Sequence, residues 1–302
     1  MSTKIPFVYK FDYKYRETQK ISPLVRRVLA ENPSAFTFRG TGTYIIGHGD
    51  SVAVIDPGPL QDDHIEALKA ATEGENVTHI LITHTHMDHS PAAAPLKAHW
   101  GAKTCGYGPH GAGKREQGVQ VEEGGDMDFV PDIKVGHGDV IEGDGWTIEC
   151  VYTPGHTSNH LCFALKEEKA LFTGDHIMGW STSIISPPDG DMTAYMESLE
   201  LLLERDDEIY WPTHGTCIDD PKPFVQSFID HRLERERQIL DCLSQGYDKI
   251  MEMVPVMYTE TDEKMYGAAG RSVLSAMVRL IDTGQVHCDD DTPALGSTYS
   301  LP

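Results

Sequence analysis

The sequence predicts an α/β fold, and three observations carry that prediction. Short β-branched runs such as Val77–Ile82 are too brief for helices and end in polar turns. Between them stand amphipathic stretches. In Asp191–Arg205, for example, Met192, Tyr195, Met196, Leu199, Leu202 and Leu203 share one helical face. Several of the strand-like runs also stop at a His or an Asp, residue types that core packing does not call for. At 302 residues and 39% hydrophobic, the chain has enough apolar surface for about two domains. The division expected is 1–220 and 221–302.

Taken in order, residues 1–22 set Phe7, Tyr9, Phe11, Tyr13 and Tyr15 at period two. That spacing predicts an extended edge strand, with a cleft wall or a homodimer contact as alternatives. Val25–Leu29, Ala35–Thr37 and Gly42–Ile46 read as strands, broken by Asn32-Pro33 and Arg39-Gly40. Ser51–Ile55 is the next hairpin arm and ends in Asp56-Pro57-Gly58. Asp62–Thr72 is a helix: Ile65, Leu68 and Ala71 have helical spacing, and Asp62 and Asp63 favour its first turn.

Val77–Ile82 leads into the densest stretch of chemistry. His84, His86, Asp88 and His89 follow Thr83 within six positions. In an extended chain His84 and His86 point to one side. Asp88 and His89 then fall at the start of a helix that opens Ser90-Pro91 and face a second point nearby. Two ligand pairs suit two metal ions, and imidazole with carboxylate suits zinc, with manganese or iron as competitors.

The spacing His-x-His-x-Asp-His after a buried strand resembles the signature of the metallo-β-lactamase fold. The remaining motifs of that family are also present in order. Thr153-Pro154-Gly155-His156-Thr157 follows Trp146–Tyr152, Phe172-Thr173-Gly174-Asp175-His176 follows Ala170-Leu171, and Pro212-Thr213-His214-Gly215 follows Glu208–Trp211. The resemblance implies that His84, His86 and His156 hold one ion and that Asp88, His89 and His214 hold the other. Asp175 bridges them, giving a pair of zinc ions per chain. It implies that Asp56 supports the ligands from behind, with Thr157 also orienting them, and that Asp88 and Asp175 belong to the catalytic machinery. The architecture implied is a four-layer αββα sandwich.

Residues 108–128 are Gly-rich and lack periodicity, which predicts a solvated loop or a lid. His110, Lys114 and Arg115 are its candidate contacts to an anionic substrate. Val140–Tyr152 and His160–Leu165 read as strands of a second sheet, with a turn at Gly143-Asp144-Gly145. The loop after Asp175 is apolar, so Trp180 and Ile184–Ile185 are expected to wall the pocket. His160 and His176 are the candidate proton donors.

Pro221–Gly246 predicts a long helix, Asp248–Met257 a second one affected by Pro255, and Gly267–Asp282 a third before a short strand near Cys288. Helices followed by such a strand look like a winged helix. With that tail, residues 24–290 are similar to lactamase-β-like hydrolases, some of which cut single-stranded RNA. The tail is expected to pack on the catalytic domain and wall the cleft or a dimer interface. Arg232, Arg235 and Arg237 alternate with Glu234 and Glu236, so local pairing is expected to occupy them.

Charge narrows the function. The net charge is −22, distributed as +5 over 1–40, −20 over 41–215 and −7 over 216–302. An acidic body repels polyanions, which weighs against a nucleic-acid partner and against an endoribonuclease. A complete ligand set weighs against a winged-helix binding protein with a regulatory metal. The reading that remains is hydrolysis, by a hydroxide held between two ions, of a small-molecule ester, thioester, lactone or lactam. No run of eighteen apolar residues predicts a membrane span. The six scattered cysteines and the opening Met-Ser-Thr-Lys-Ile-Pro-Phe lead to the expectation of a cytoplasmic protein with reduced thiols.

Overall fold

Alternation of side chains along the central strands builds the molecule, which we describe from a computed structural model covering residues 4–113, 124–259 and 261–302. In chain order the elements of the first half are β1 (Thr18–Lys20), β2 (Val25–Leu29), β3 (Gly42–His48), β4 (Ser51–Ile55), α1 (Asp62–Ala71), β5 (Val77–Leu81), α2 (Ala93–Trp100), β6 (Lys103–Gly106) and β7 (Ile133–Lys134). These strands form one sheet in sequence order, antiparallel as far as β4 and parallel beyond it. The second sheet has the order β12-β11-β10-β9-β8. Its strands are β8 (Val140–Gly143), β9 (Trp146–Tyr152), β10 (Leu161–Leu165), β11 (Ala170–Gly174) and β12 (Ile209–Pro212), with α3 (Met192–Glu204) before the last.

Both faces of each sheet are covered. Tyr44, Ile46, Ala53 and Ile55 meet Trp146, Ile148, Phe163 and Phe172 between the sheets. The intervening Ile45, Val52 and Val54 face outward onto Ile65 and Leu68 of α1 and Leu96 of α2. On the far side, Cys162 and Ala164 lie under Tyr195 and Leu199 of α3. The period of two therefore creates the four layers, α-β-β-α.

The tail consists of α4 (Pro221–Ser244), α5 (Ile250–Met257), α6 (Tyr266–Asp282), and the wing strands β13 (His287–Cys288) and β14 (Tyr299–Ser300). Helix α4 belongs to two cores. Phe224, Val225, Phe228 and Ile229 pack with α3, whereas Ile239 and Cys242 pack with α5 and α6. Pro255 lies within α5, two residues from its end. All six cysteines are free thiols, and among the described residues no helix is long and apolar enough to cross a membrane.

Several expectations need correction. Ala35–Thr37 is a turn, because the Ser34 hydroxyl accepts the N–H groups of Phe36 and Thr37 at 3.0 and 3.1 Å and so diverts them from a ladder. The aromatic segment is not a strand, and β1 begins only at Thr18. Phe7 instead packs edge-on against Phe224 and Phe228, and Phe11 meets Phe38. Asp88 and His89 sit in a turn ahead of α2, where the His89 N–H reaches the His86 carbonyl at 3.0 Å.

Candidate metal centre

The strand ends of both sheets converge at one edge, and short connections carry the ligands from there. Two glycines make those connections possible. Gly155, at φ +142°, precedes His156, and a Cβ there would collide with the Tyr195 backbone. Gly174, at φ +51°, precedes Asp175, and its missing Cβ leaves room for His160 and Thr83. The two sheets are tied at this edge by Leu161 N–H donating to the Thr83 carbonyl at 2.7 Å and by Gly42 N–H donating to Thr213 at 2.9 Å.

The seven predicted ligands come together; six are buried and His86 is half-buried. Ligand atoms of His84, His86 and His156 lie within 4.8 Å of one another, as do those of Asp88, His89 and His214. A third such group joins Asp175 to His84 and His89, one residue from each trio. Asp175 lies 3.4 Å from His214 Nε2, 3.6 Å from His89 Nε2 and 3.9 Å from His156 Nε2.

Four of the five ligand imidazoles are held by their other nitrogen. His156 Nδ1 donates to the Ile184 carbonyl at 2.7 Å, His214 Nδ1 to the Gly40 carbonyl at 3.1 Å and His89 Nδ1 to Asp56 Oδ2 at 2.8 Å. The Thr83 hydroxyl gives its proton to Asp56 at 2.7 Å, so its oxygen accepts from His84 Nδ1 at 3.1 Å. These bonds fix the tautomers and turn Nε2 toward the centre. Asp56 is the hub behind the ligands. It also accepts the Thr83 N–H at 2.8 Å and the Thr213 hydroxyl at 3.1 Å, and it does so from a left-handed backbone at φ +47°.

The electrostatics of this cluster call for a cation. Burial, reinforced by neighbouring imidazoles, holds His84 and His86 well below the usual histidine range. Burial also opposes charge on His89 and His214, but the carboxylates override it. Asp88, Asp175 and Asp56 raise His89 well above its ordinary value, and Asp175 and Asp88 bring His214 to about 10. Protons on these rings offset carboxylates that a divalent ion would otherwise neutralise. His89 Nε2 and Asp175 Oδ1 are buried without a hydrogen bond. The donor set therefore fits metal ions of the zinc class.

The other predicted site residues fall in varied places. Trp180 lines the cleft above the ligands and stacks on Phe38 at 4.7 Å and 10°. Ile184 lines it too, but Ile185 points into the core beside Tyr195. Thr157 bears on the His156 loop. Its hydroxyl donates to Asn159, and its carbonyl accepts the Gly155 N–H, which shapes the His156 loop. His160 and His176 are fully buried and are not among the residues lining the cleft. His160 Nε2 accepts the Asp175 N–H at 3.2 Å, and His176 sits against the Tyr195 ring, held near pKa 3 by burial. His110 is buried with Nδ1 3.0 Å from the Thr85 hydroxyl, bracing the ligand loop. Lys114 and Arg115 lie outside the described residues. The end of their stretch crosses the ligand loop, with Met87 N–H donating to the Gly124 carbonyl and Asp126 N–H to that of Thr85.

Sequence reasoning missed the supporting hydroxyls, whereas walling of the cleft is one of the two placements it expected of the tail. Thr41 donates to Asp88 Oδ2 at 3.1 Å, and Ser183 donates to the Asp175 carbonyl. The cleft, about 280 Å³, is closed on one side by the tail through His231, Arg232, Arg235 and Tyr258. The expected pairing along α4 holds only for Arg237 with Glu234, because Glu236 reaches Arg279 instead.

A family model described as the metallo-beta-lactamase superfamily matches residues 37–214, and one described as the beta-lactamase associated winged helix domain matches residues 250–294. The chain is 32% identical over 260 residues to an atrochrysone carboxyl ACP thioesterase from Aspergillus chevalieri, covering 85% of this chain and 78% of the relative. It is also 32% identical over 274 residues to the beta-lactamase-like protein 2 homolog of Caenorhabditis elegans, covering 89% and 88%. Its fold matches the crystal structure of a beta-lactamase domain protein from Burkholderia ambifaria with a TM-score of 0.80 at 17% identity, covering 99% of this chain and 97% of that one.

Proposed function

Because the chain belongs to the metallo-β-lactamase superfamily of hydrolases, we propose that it cleaves acyl thioesters at a dinuclear metal centre of the zinc class. The observation that carries this reading is the pair of ligand trios with Asp175 between them, on the floor of an open cleft. His84, His86 and His156 would hold one ion, Asp88, His89 and His214 the other, and Asp175 would be shared. Bound ions supply Lewis acidity toward a carbonyl oxygen and a water acidified toward neutral pH. Thioester is preferred to the other acyl bonds because a relative of matching length carries that activity in its name.

The chain's own residues do the positioning. Asp56 holds His89 directly, His84 through Thr83, and the His214 strand end through Thr213. The Thr41 hydroxyl and His214 both bear on Asp88 Oδ2, so its orientation is set from two sides. Trp180 and Met178 form apolar walls that displace water from an acyl chain lying over the ligands.

Elemental analysis of protein purified without chelator should find about two ions per chain. Turnover should then be measured on a thioester, a lactone, a lactam and a short single-stranded RNA. One ion or none after zinc reconstitution would sink the dinuclear centre. Turnover of another substrate well above the thioester would sink the substrate class.

A further inference from the structure

Two arginines of α4 line the cleft, and among the described residues neither has a counter-ion. Arg232 is 5% exposed; its Nη2 donates to the Ser183 carbonyl at 2.5 Å, and its guanidinium lies 5.0 Å from the Tyr195 ring centre. Arg235 donates through Nη1 to the Gln238 side chain at 2.8 Å and the Met257 carbonyl at 2.7 Å, and it lies 4.2 Å from the Tyr258 ring centre. The Nε–H of each is buried with no acceptor, and so is His231 Nδ1. The two acids that alternate with these arginines are committed elsewhere, Glu234 to Arg237 and Glu236 to Arg279. Among the described residues neither Arg232 nor Arg235 has a carboxylate within ion-pair distance.

A buried cation without a partner is unfavourable, and neutral carbonyls with ring faces only partly offset it. A bound anion would complete the arrangement. Spacing places His231 and Arg235 on one face of α4, with Arg232 one turn from Arg235. The metal ligands His86, Asp88, His156, Asp175 and His214 line the same cleft. A substrate reaching from the ligands to α4 would thus have its reacting carbonyl at one end and guanidinium groups at the other. Guanidinium is the side chain best matched to oxyanions such as carboxylate and phosphate.

We propose that Arg232 and Arg235, with His231, form an anion subsite that seats a carboxylate or phosphate carried by the substrate away from its scissile carbonyl. This rests on the thioesterase reading for the identity of the reaction, but not for the existence of the subsite. The anion has two possible sources, the acyl group or the thiol group, and matched substrates separate them. The first pair is the N-acetylcysteamine monothioester of glutaric acid and the methyl ester of the same compound. The second is S-butyryl-4′-phosphopantetheine and S-butyryl-pantetheine.

The zinc-loaded enzyme should favour the anionic member of one pair by about tenfold or more in kcat/KM, the scale of a charge-assisted hydrogen bond. Arg232→Met and Arg235→Met should each bring that ratio to within about twofold of unity, and Arg235→Lys should restore part of it. Because Arg232 also holds Ser183, whose hydroxyl binds the Asp175 carbonyl, Arg235 provides the cleaner test. A preference in the first pair places the anion on the acyl side, and one in the second pair on the thiol side. No preference in either pair, or a preference that survives in both Met variants, overturns the subsite. If no thioester is turned over, thermal unfolding with millimolar glutarate and with inorganic phosphate decides. Stabilisation of the wild type that is lost in Arg235→Met keeps the subsite and rejects the thioesterase reading. Stabilisation shared by both proteins, or absent from both, rejects the subsite.

Discussion

Asp175 and Arg232 line the same cleft, but the chain holds them by different means. Asp175 sits at a strand end, one residue beyond a glycine that no side chain can replace without collision, with its N–H bound to His160 and its carbonyl to Ser183. The ligands around it are fixed through short backbone connections and a single hub, Asp56. Arg232 reaches the cleft from a helix on a long side chain, anchored by one carbonyl and one ring face. One wall is set by backbone geometry and leaves little freedom for substitution. The other is set by rotamers of residues that a different helix sequence would replace. Chemistry belongs to the first kind of wall and substrate choice to the second, because binding contacts tolerate adjustment that reacting groups do not.

This contrast is open to direct attack, and the strongest blow is to remove the second wall altogether. Truncation after Asp220 strips Phe224, Val225, Phe228 and Ile229 from the core over α3. The shortened protein should aggregate and show no turnover. A soluble, monodisperse and fully active fragment in size-exclusion chromatography would show that the tail supports neither fold nor cleft. Asp175→Ala strikes the first wall. Turnover should fall at least about a hundredfold while far-UV circular dichroism stays unchanged. Wild-type rates would mean that Asp175 is not shared between the trios.

Asp56→Asn sharpens the comparison further, since it keeps the volume and tolerates the left-handed backbone but removes the charge behind His89. Zinc affinity, measured by competition with a chelator, should weaken by about ten- to a hundredfold. Unchanged affinity would reduce Asp56 to a turn former. The smallest effect is expected from RNA. With a net charge of −22, the protein should retain no short RNA in a gel shift at physiological salt. Retention that salt abolishes would favour cleavage of RNA over cleavage of thioesters.

The first wall was far more legible in the sequence than the second. His84, His86, Asp88, His89, His156, Asp175 and His214 stand where strands end, and their residue types have no packing rationale, so they stood out and the resemblance to the metallo-β-lactamase fold joined them into one ligand set. Asp56 was visible as a supporter, but its left-handed backbone was not, because a carboxylate turn reads the same at any φ. The Ser34 turn was hidden by Phe36, whose apolar side chain completes a convincing strand pattern. The arginine wall was hidden for a different reason. Whether Arg235 is paired depends on Glu236 choosing Arg279, a partner 43 residues away, over its neighbours on the helix. Local sequence contains no record of that choice.

Helix α4 also bears on how the protein is made. Synthesis proceeds from the N-terminus, and every proposed metal ligand has been added once His214 is in place. The layer that braces the second sheet has not, since Phe224, Val225, Phe228 and Ile229 arrive later on α4. The same 24-residue helix then begins the tail's own core at Ile239 and Cys242. A nascent chain therefore carries a full set of ligands on an unfinished scaffold, and the segment that finishes the scaffold also brings the arginines of the cleft. One helix thus both completes the packing over the second sheet and supplies a wall of the cleft.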